Sequence, residues 1–409
     1  MAGPLGQNRV KTHVFAQVEE PAIPPHSKDL LDTCIHDALL GHYSSSIRSQ
    51  YGNVLKHFTT HTIPSFAPGA ASQSAWRKTL PDLACKHSFV TNAMLAAGFL
   101  HLSHLATTKE IRNSYQNTAA IQMNAGMAQY RLEVQHVTTE NSEALFAFST
   151  ILTIFVLSTA ATECALNLEI MRTEDYNRTH RVELMSNAVH TICRVFRSMR
   201  GVLVILIPCW DHLRSGPLQV IVQREWWPAA IPVTEEEISN DKKLLRLEKM
   251  WSRPGRAYDY SFDHLRIALK SLRETFALTS RLECLALTSA EDEVRYFDWT
   301  SVIHWPVQLT PDFLSLLEQQ HVEAWVLIAH FAMLPPKAKG ILWLDGLSMN
   351  IVTTAALVIG EENWNWIAWP VQAIGVDLKL LRNSVITPPH TSSAPKAGLP
   401  LPAVQQHIT

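Results

Sequence analysis

The sequence predicts an all-α protein, built as a single large multi-helix domain, and three observations carry that prediction. Apolar residues make up 47% of the chain against 18% charged, a balance that places much of it in an interior. From residue 29 onward the apolar positions recur three and four apart, while the two-residue alternation of a half-buried strand is nearly absent. Proline and glycine fall in clusters that punctuate the periodic segments: "PSFAPGAA" (64–71), "WWPAAIP" (226–232), "SRPG" (252–255) and "LPPKAKG" (334–340).

Taken in order, residues 1–28 hold Gly3, Pro4, Gly6, Pro21, Pro24 and Pro25 with little periodicity, so 1–45 is read as a loose N-terminal arm. The helical domain spans 46–378. Within it, 87–106 sets Val90, Met94, Ala97 and Leu105 near one face, with Phe89 and Leu100 widening it, and 111–134 is amphipathic. Ser142 and Glu143 mark the next helix start. Further helices are predicted over 181–200, 236–251, 259–287, 311–334 and 344–359. The run "TEEEIS" (234–239) reads as Thr234 capping a helix with an acidic first turn. The tail, 379–409, is rich in proline, serine and small residues and is expected to be disordered.

The segment "ALFAFSTILTIFVLSTAAT" (144–162) has no charge and is about the 20 residues a membrane span needs. It also carries six hydroxyl side chains, Glu143 and Glu163 at its ends and no basic anchor. A buried central helix is the preferred reading, with no membrane span.

Charge and cysteine usage exclude several function classes. The net charge is −2, and the densest basic run, "RVFRSMR" (194–200), leads straight into an apolar segment, so no direct nucleic-acid binding is expected. The N-terminus shows no apolar signal segment. The six cysteines (Cys34, Cys85, Cys164, Cys193, Cys209, Cys284) stand far apart, the closest pair sixteen residues, and read as reduced thiols. Structural zinc needs thiolates in short paired spacings, which the sequence does not offer. The sequon Asn177-Arg178-Thr179 means little without an export signal.

Catalytic patterns fail in the same way. "GLSMN" (346–350) has Asn350 where a nucleophile elbow needs glycine. No glycine-rich phosphate loop is present. Cys34 and His36, two apart, point to different sides of a helix. His57 and His61, four apart, share one helix face. A metal would need a third ligand, and His101 and His104 lie on a different predicted helix with nothing local to bring them near. The pair therefore reads as two histidines near the end of an amphipathic helix, packing their rings or capping carbonyls. No catalytic residue, cofactor or metal is expected. Tryptophan is more informative: Trp364, Trp366 and Trp369 fall within six positions, with Trp226, Trp227, Trp305, Trp325 and Trp343 elsewhere. Such residues suit either helix packing or the wall of an apolar pocket.

A series of blocks then carries a resemblance. "LKHFTTHT" (55–62) is followed by Trp76, "LPDLACKHSFVTNAMLAAGFLHLSHL" (80–105), Tyr115, "EALFAFSTIL" (143–152), "VFRSMRGV" (195–202) and "GPL" (216–218). Then come "IHWPVQLTPDFLSLL" (303–317), "EAWVLIAHFAMLPP" (323–336), "LWLDGLSMNI" (342–351) and "NWNWIAWPVQAIG" (363–375). In order and spacing, over roughly 50–378, they resemble the C-terminal regulatory domain of fungal zinc-cluster transcription factors, particularly the branch similar to sterol uptake control proteins. The resemblance implies an all-helical, often dimeric domain with a hydrophobic, sterol-sized pocket whose occupancy controls nuclear entry and activation. It makes "HFTT" a helix-end marker and offers Trp343 and Gly346, in "WLDGLSMN", as ligand-site candidates beside Trp364, Trp366 and Trp369.

The binuclear zinc cluster and basic segment of that family have no counterpart in the cysteine spacing here. The expected function is thus transcriptional regulation in the nucleus, with shuttling to the cytoplasm, of a secondary-metabolite or sterol-related gene set. It would respond to a sterol-like, polyketide or terpenoid ligand and act as a homodimer or with a full-length zinc-cluster factor. The alternative is a small-molecule binder or metal-free cyclase reusing the pocket, which could act by orienting a substrate.

Overall fold

The computed structural model describes residues 40, 44–67, 69–173, 178–223, 231–253, 255, 257–288 and 299–381. The expected arm and tail lie outside the described residues, apart from a few at the inner edges, as do Cys34, Asn177, Trp226 and Trp227. The described residues are all-α, with no strand among them. In chain order the helices are α1 Ser45–His57, α2 Ile63–Phe66, α3 Gly69–Lys86, α4 Ser88–Leu105, α5 Lys109–Glu133 and α6 Ser142–Thr173. They continue with α7 Arg178–Gly201, α8 Leu203–Leu213, α9 Gln219–Val222, α10 Glu235–Leu245, α11 Ser261–Thr288 and α12 Trp299–Gln308. The last are α13 Pro311–Glu318, α14 Val322–Phe331, α15 Leu347–Ile359, α16 Ala368–Ile374 and α17 Leu378–Leu381.

Local chemistry sets the boundaries. Thr108 accepts a hydrogen bond from Ile111 N at 3.3 Å to start α5. Thr310 accepts from Phe313 N at 3.1 Å to start α13, with Pro311 in the first turn where its missing N–H costs nothing. Thr234 opens α10 with a full capping box: its hydroxyl accepts from Glu237 N at 3.2 Å while the Glu237 carboxylate accepts from Thr234 N at 3.1 Å.

The single helix predicted over 311–334 is two. Gln320 takes a left-handed φ of 59°, and His321 N donates to Leu316 O at 2.9 Å while Gln320 N donates to Leu317 O at 3.0 Å. That is a Schellman ending, usually built on glycine; a glutamine in its place gives no sequence signal. The predicted 236–251 helix likewise tightens into a 3₁₀ turn over Arg246–Met250.

Helix α4 runs through the interior, with almost every residue from Phe89 to Ser103 buried, and packs against α1, α3, α5 and α6. Its neighbour α6 packs on α7 and α15, and α15 on α14. Helix α14 is buried from Glu323 through Phe331, as a helix apolar all round should be. Close approach is bought by small residues: a Cβ on Gly98 of α4 would meet Val54 Cγ1 of α1 at 2.7 Å. Two stretches, 142–172 and 342–359, are long and apolar enough to cross a membrane, and 72% of each apolar window is buried against the rest of this chain.

Candidate functional site

Two places bring chemistry-bearing residues together. The first grows from the end of α1. After His57 the helix widens into a π turn over Phe58–Thr62, closed by Ile63 N donating to Phe58 O; such turns recur at functional sites. The hydroxyls of Thr59 and Thr60 both donate to Lys56 O, at 2.9 and 2.8 Å. With its proton spent there, Thr60 Oγ1 can only accept from His61 Nδ1, 2.6 Å away, which fixes the proton on that nitrogen.

The His57 and His61 rings stack at 4.8 Å, 13° from parallel. His101 of α4, whose Nδ1 lies 3.0 Å from Thr62 Oγ1, stands 5.0 Å from His57. Trp343 sets its edge against His101 at 5.6 Å and His104 at 5.9 Å. Its indole N–H donates to Ser65 Oγ at 2.9 Å, whose own proton goes to Thr62 O at 2.6 Å. His104 Nε2 meets Ser158 Oγ of α6 at 2.7 Å.

Burial first, and the neighbouring rings second, push both His57 and His101 down to about 4. His104 is lowered by burial, against Asp345, which raises it. His57 and His101 are thus neutral imidazoles at pH 7. Among the described residues no group of three or more His, Cys, Asp or Glu is arranged to hold a metal ion. Near-parallel rings send the lone pairs of His57 and His61 side by side rather than to a common point.

Gly346 caps α15 with φ 76°, and a Cβ there would meet nothing within 4 Å. Backbone conformation, not close approach, is its reason to be glycine. The other tryptophan candidates form a separate patch. Trp364 is buried, donating to Ala356 O at 2.8 Å. Arg253 lies 5.6 Å from the Trp366 ring. Trp369 packs between Phe276 and His330, with Lys243 Nζ 4.6 Å above it.

The second place is a cavity of about 110 Å³. Phe66 and Trp76 form one wall and Phe146, Thr150 and Thr153 of α6 another. Met199, Val202 and Leu206 close it from the α7–α8 side, Ile221 and Val222 from α9, and Trp299, Ile303 and His304 from α12. The Trp76 and Phe146 rings lie 6.2 Å apart and within 2° of parallel. Trp299 Nε1 donates to Phe66 O at 2.6 Å, fixing the corner. No lining side chain is charged at neutral pH, since burial holds His304 down to about 4. None of Trp343, Gly346, Trp364, Trp366 and Trp369 lines this cavity.

Residues 53–175 match the family model of the fungal specific transcription factor domain. The matched segment runs from α1 through α6 and carries all four clustered histidines together with Trp76, Phe146, Thr150 and Thr153 of the cavity. It supports a fungal transcription factor regulatory domain. No curated protein and no solved structure matches the chain.

Sequence reasoning missed the cavity because its walls come from positions as far apart as Phe66 and Val307. One signal was available: the hydroxyls set into an uncharged apolar run, of which Thr150 and Thr153 face the cavity.

Proposed function

We propose that this chain is a transcriptional regulator whose helical domain responds to an uncharged lipophilic small molecule held in the Phe66–Trp76–Phe146–Trp299 cavity. The observation that carries the reading is the joint construction of that cavity. The segment matching a fungal transcription factor domain supplies Phe66, Trp76 and Phe146, while α9 and α12, beyond it, supply Ile221 and Trp299. A guest there bridges two parts of the chain, which is how occupancy biases one arrangement of the domain over another.

Trp343 belongs to the same machinery as a relay rather than a wall. Ser65, which holds its indole, is followed directly by Phe66 of the cavity. Gly346, three residues on, sets the start of α15. The domain acts in the nucleus, as a homodimer or paired with a full-length zinc-cluster factor, on genes for handling or making the lipophile.

Deleting the gene and profiling transcripts tests the reading. A bounded set of genes that rises or falls in the deletion strain, and returns with the wild-type chain, is the expected result. An unchanged transcript profile under conditions where the chain is expressed overturns it.

A further inference from the structure

We infer that the cavity takes a compact, uncharged single-ring alcohol, donating its hydroxyl proton to Thr150 and Thr153, and not a four-ring sterol. The inference rests on the reading of the cavity as the ligand site of the regulator and narrows it.

Size sets the first limit. The cavity holds about 110 Å³, whereas an apolar hole on the order of 150 Å³ accepts benzene and pockets for drug-sized ligands run to about 300–1,000 Å³. At that size even one ring needs side-chain adjustment at the partly buried Val202 and Leu206, and a second ring does not fit. Charge sets the second. With no charged group on the walls, a carboxylate or ammonium would be stripped of water and left unpaired. Trp76 and Phe146 stack on one another at 6.2 Å, so they form one continuous apolar wall with no room for a guest between them.

The hydroxyls decide the polar end. Thr150 and Thr153, three apart on α6, share a helix face. Thr150 Oγ1 donates to Phe146 O at 3.0 Å, and Thr153 Oγ1 donates to Ser149 O at 2.9 Å with Ser198 O at 3.3 Å. Each hydroxyl has one proton, and both protons are committed to backbone carbonyls. What those two hydroxyls keep for a guest is lone pairs, so the group that meets them on α6 must be a donor; Ser72, Thr300 and His304 also line the cavity and are polar. At Thr150 and Thr153 an alcohol or phenol meets that demand; a ketone, ether or ester does not.

The test uses the purified full chain and four probes by isothermal titration and equilibrium dialysis: p-cresol, its methyl ether 4-methylanisole, p-toluate and ergosterol. The inference expects p-cresol to bind at least tenfold more tightly than the ether, the scale of one good hydrogen bond, with p-toluate and ergosterol silent. Thr153→Val and Thr150→Val, which keep shape but remove an acceptor, bring the two ring probes to within about threefold of each other. Val202→Trp, at a partly buried position, fills the void and abolishes binding of both while leaving the thermal midpoint in place.

Equal binding of cresol and ether to the wild type, or cresol preference that survives both threonine variants, overturns the donor assignment. Ergosterol binding that Val202→Trp abolishes overturns the ring-alcohol class yet leaves the regulator reading standing. Failure of every probe overturns the class by itself, and the transcript profile of the deletion strain then decides the broader reading separately.

Discussion

Acid should unfasten the histidine cluster before it titrates the bulk of the carboxylates, and the direction follows from the neutral rings. His57 and His101 sit at about 4 in the fold against 6.5 for a free imidazole. Between those values the unfolded chain binds protons that the folded chain refuses, so stability is fully present above 6.5 and is lost as pH falls toward 4. For a fully desolvated ring that gap is worth about 3 kcal/mol. His57 is only half-buried and its charge would be screened, so a realistic figure is about 1–2 kcal/mol for each of the two. The titratable groups facing them are His61 and His104; Asp345 and Arg112 act on His104, Asp345 raising it and Arg112 lowering it.

Urea denaturation at pH 7.0 and 5.0 reads the loss. The wild type is expected to lose about 2–3 kcal/mol more over that interval than the His57→Gln/His101→Gln double variant, which lacks both titrating rings. Proton NMR of the imidazoles gives the same answer directly, with two resonances that do not move until below pH 5. Equal pH slopes in the two proteins, or titration of both rings near 6.5, would refute the reasoning.

Three other expectations rest on packing, conformation and burial. Gly98→Ala places a methyl 2.7 Å from Val54 Cγ1 and 3.1 Å from Val54 O, which forces α1 away from α4 and should cost about 1–3 kcal/mol in a denaturation curve despite alanine's better helix propensity. Gly346→Ala meets no neighbour but must hold φ 76°, so it should cost about 1 kcal/mol, with Gly346→Asn milder; equal stability of all three proteins would argue against the left-handed cap. Among the described thiols, Cys85 and Cys284 are exposed, while burial pushes Cys164 up to about 11 and Cys193 up to about 12. A maleimide at pH 7.5, followed by peptide mapping, should label the first two within minutes and the second two only after unfolding.

The sequence made the fold class legible because helix periodicity and N-caps are local. The segments 87–106 and 111–134 match α4 and α5 to within two residues, and the cap at Thr234 is in place. It failed at Gln320, where a left-handed turn was built without glycine. The candidate site was legible in its parts and not in their assembly. "HFTTHT", "LHLSH" and "LWLDG" each stand out, yet only the packing of α1 on α4 and of the Leu342–Leu344 turn on α6 brings His57, His101 and Trp343 into ring contact. The four-residue spacing of His57 and His61 does bring their rings together, stacked at 4.8 Å, although the helix widens into a π turn between them. The cavity hides still better, because its lining positions, scattered over five stretches between Phe66 and Val307, are indistinguishable from ordinary core until the fold brings them together.

The most direct measurement of the account is ligand-dependent transcription. The full chain is fused to a heterologous DNA-binding module and read on a reporter with and without added p-cresol, beside the Val202→Trp variant. The account predicts reporter output that shifts several-fold with the phenol in the wild type and is fixed, whatever is added, in the filled variant. A Val202→Trp chain that still responds as the wild type does would contradict it.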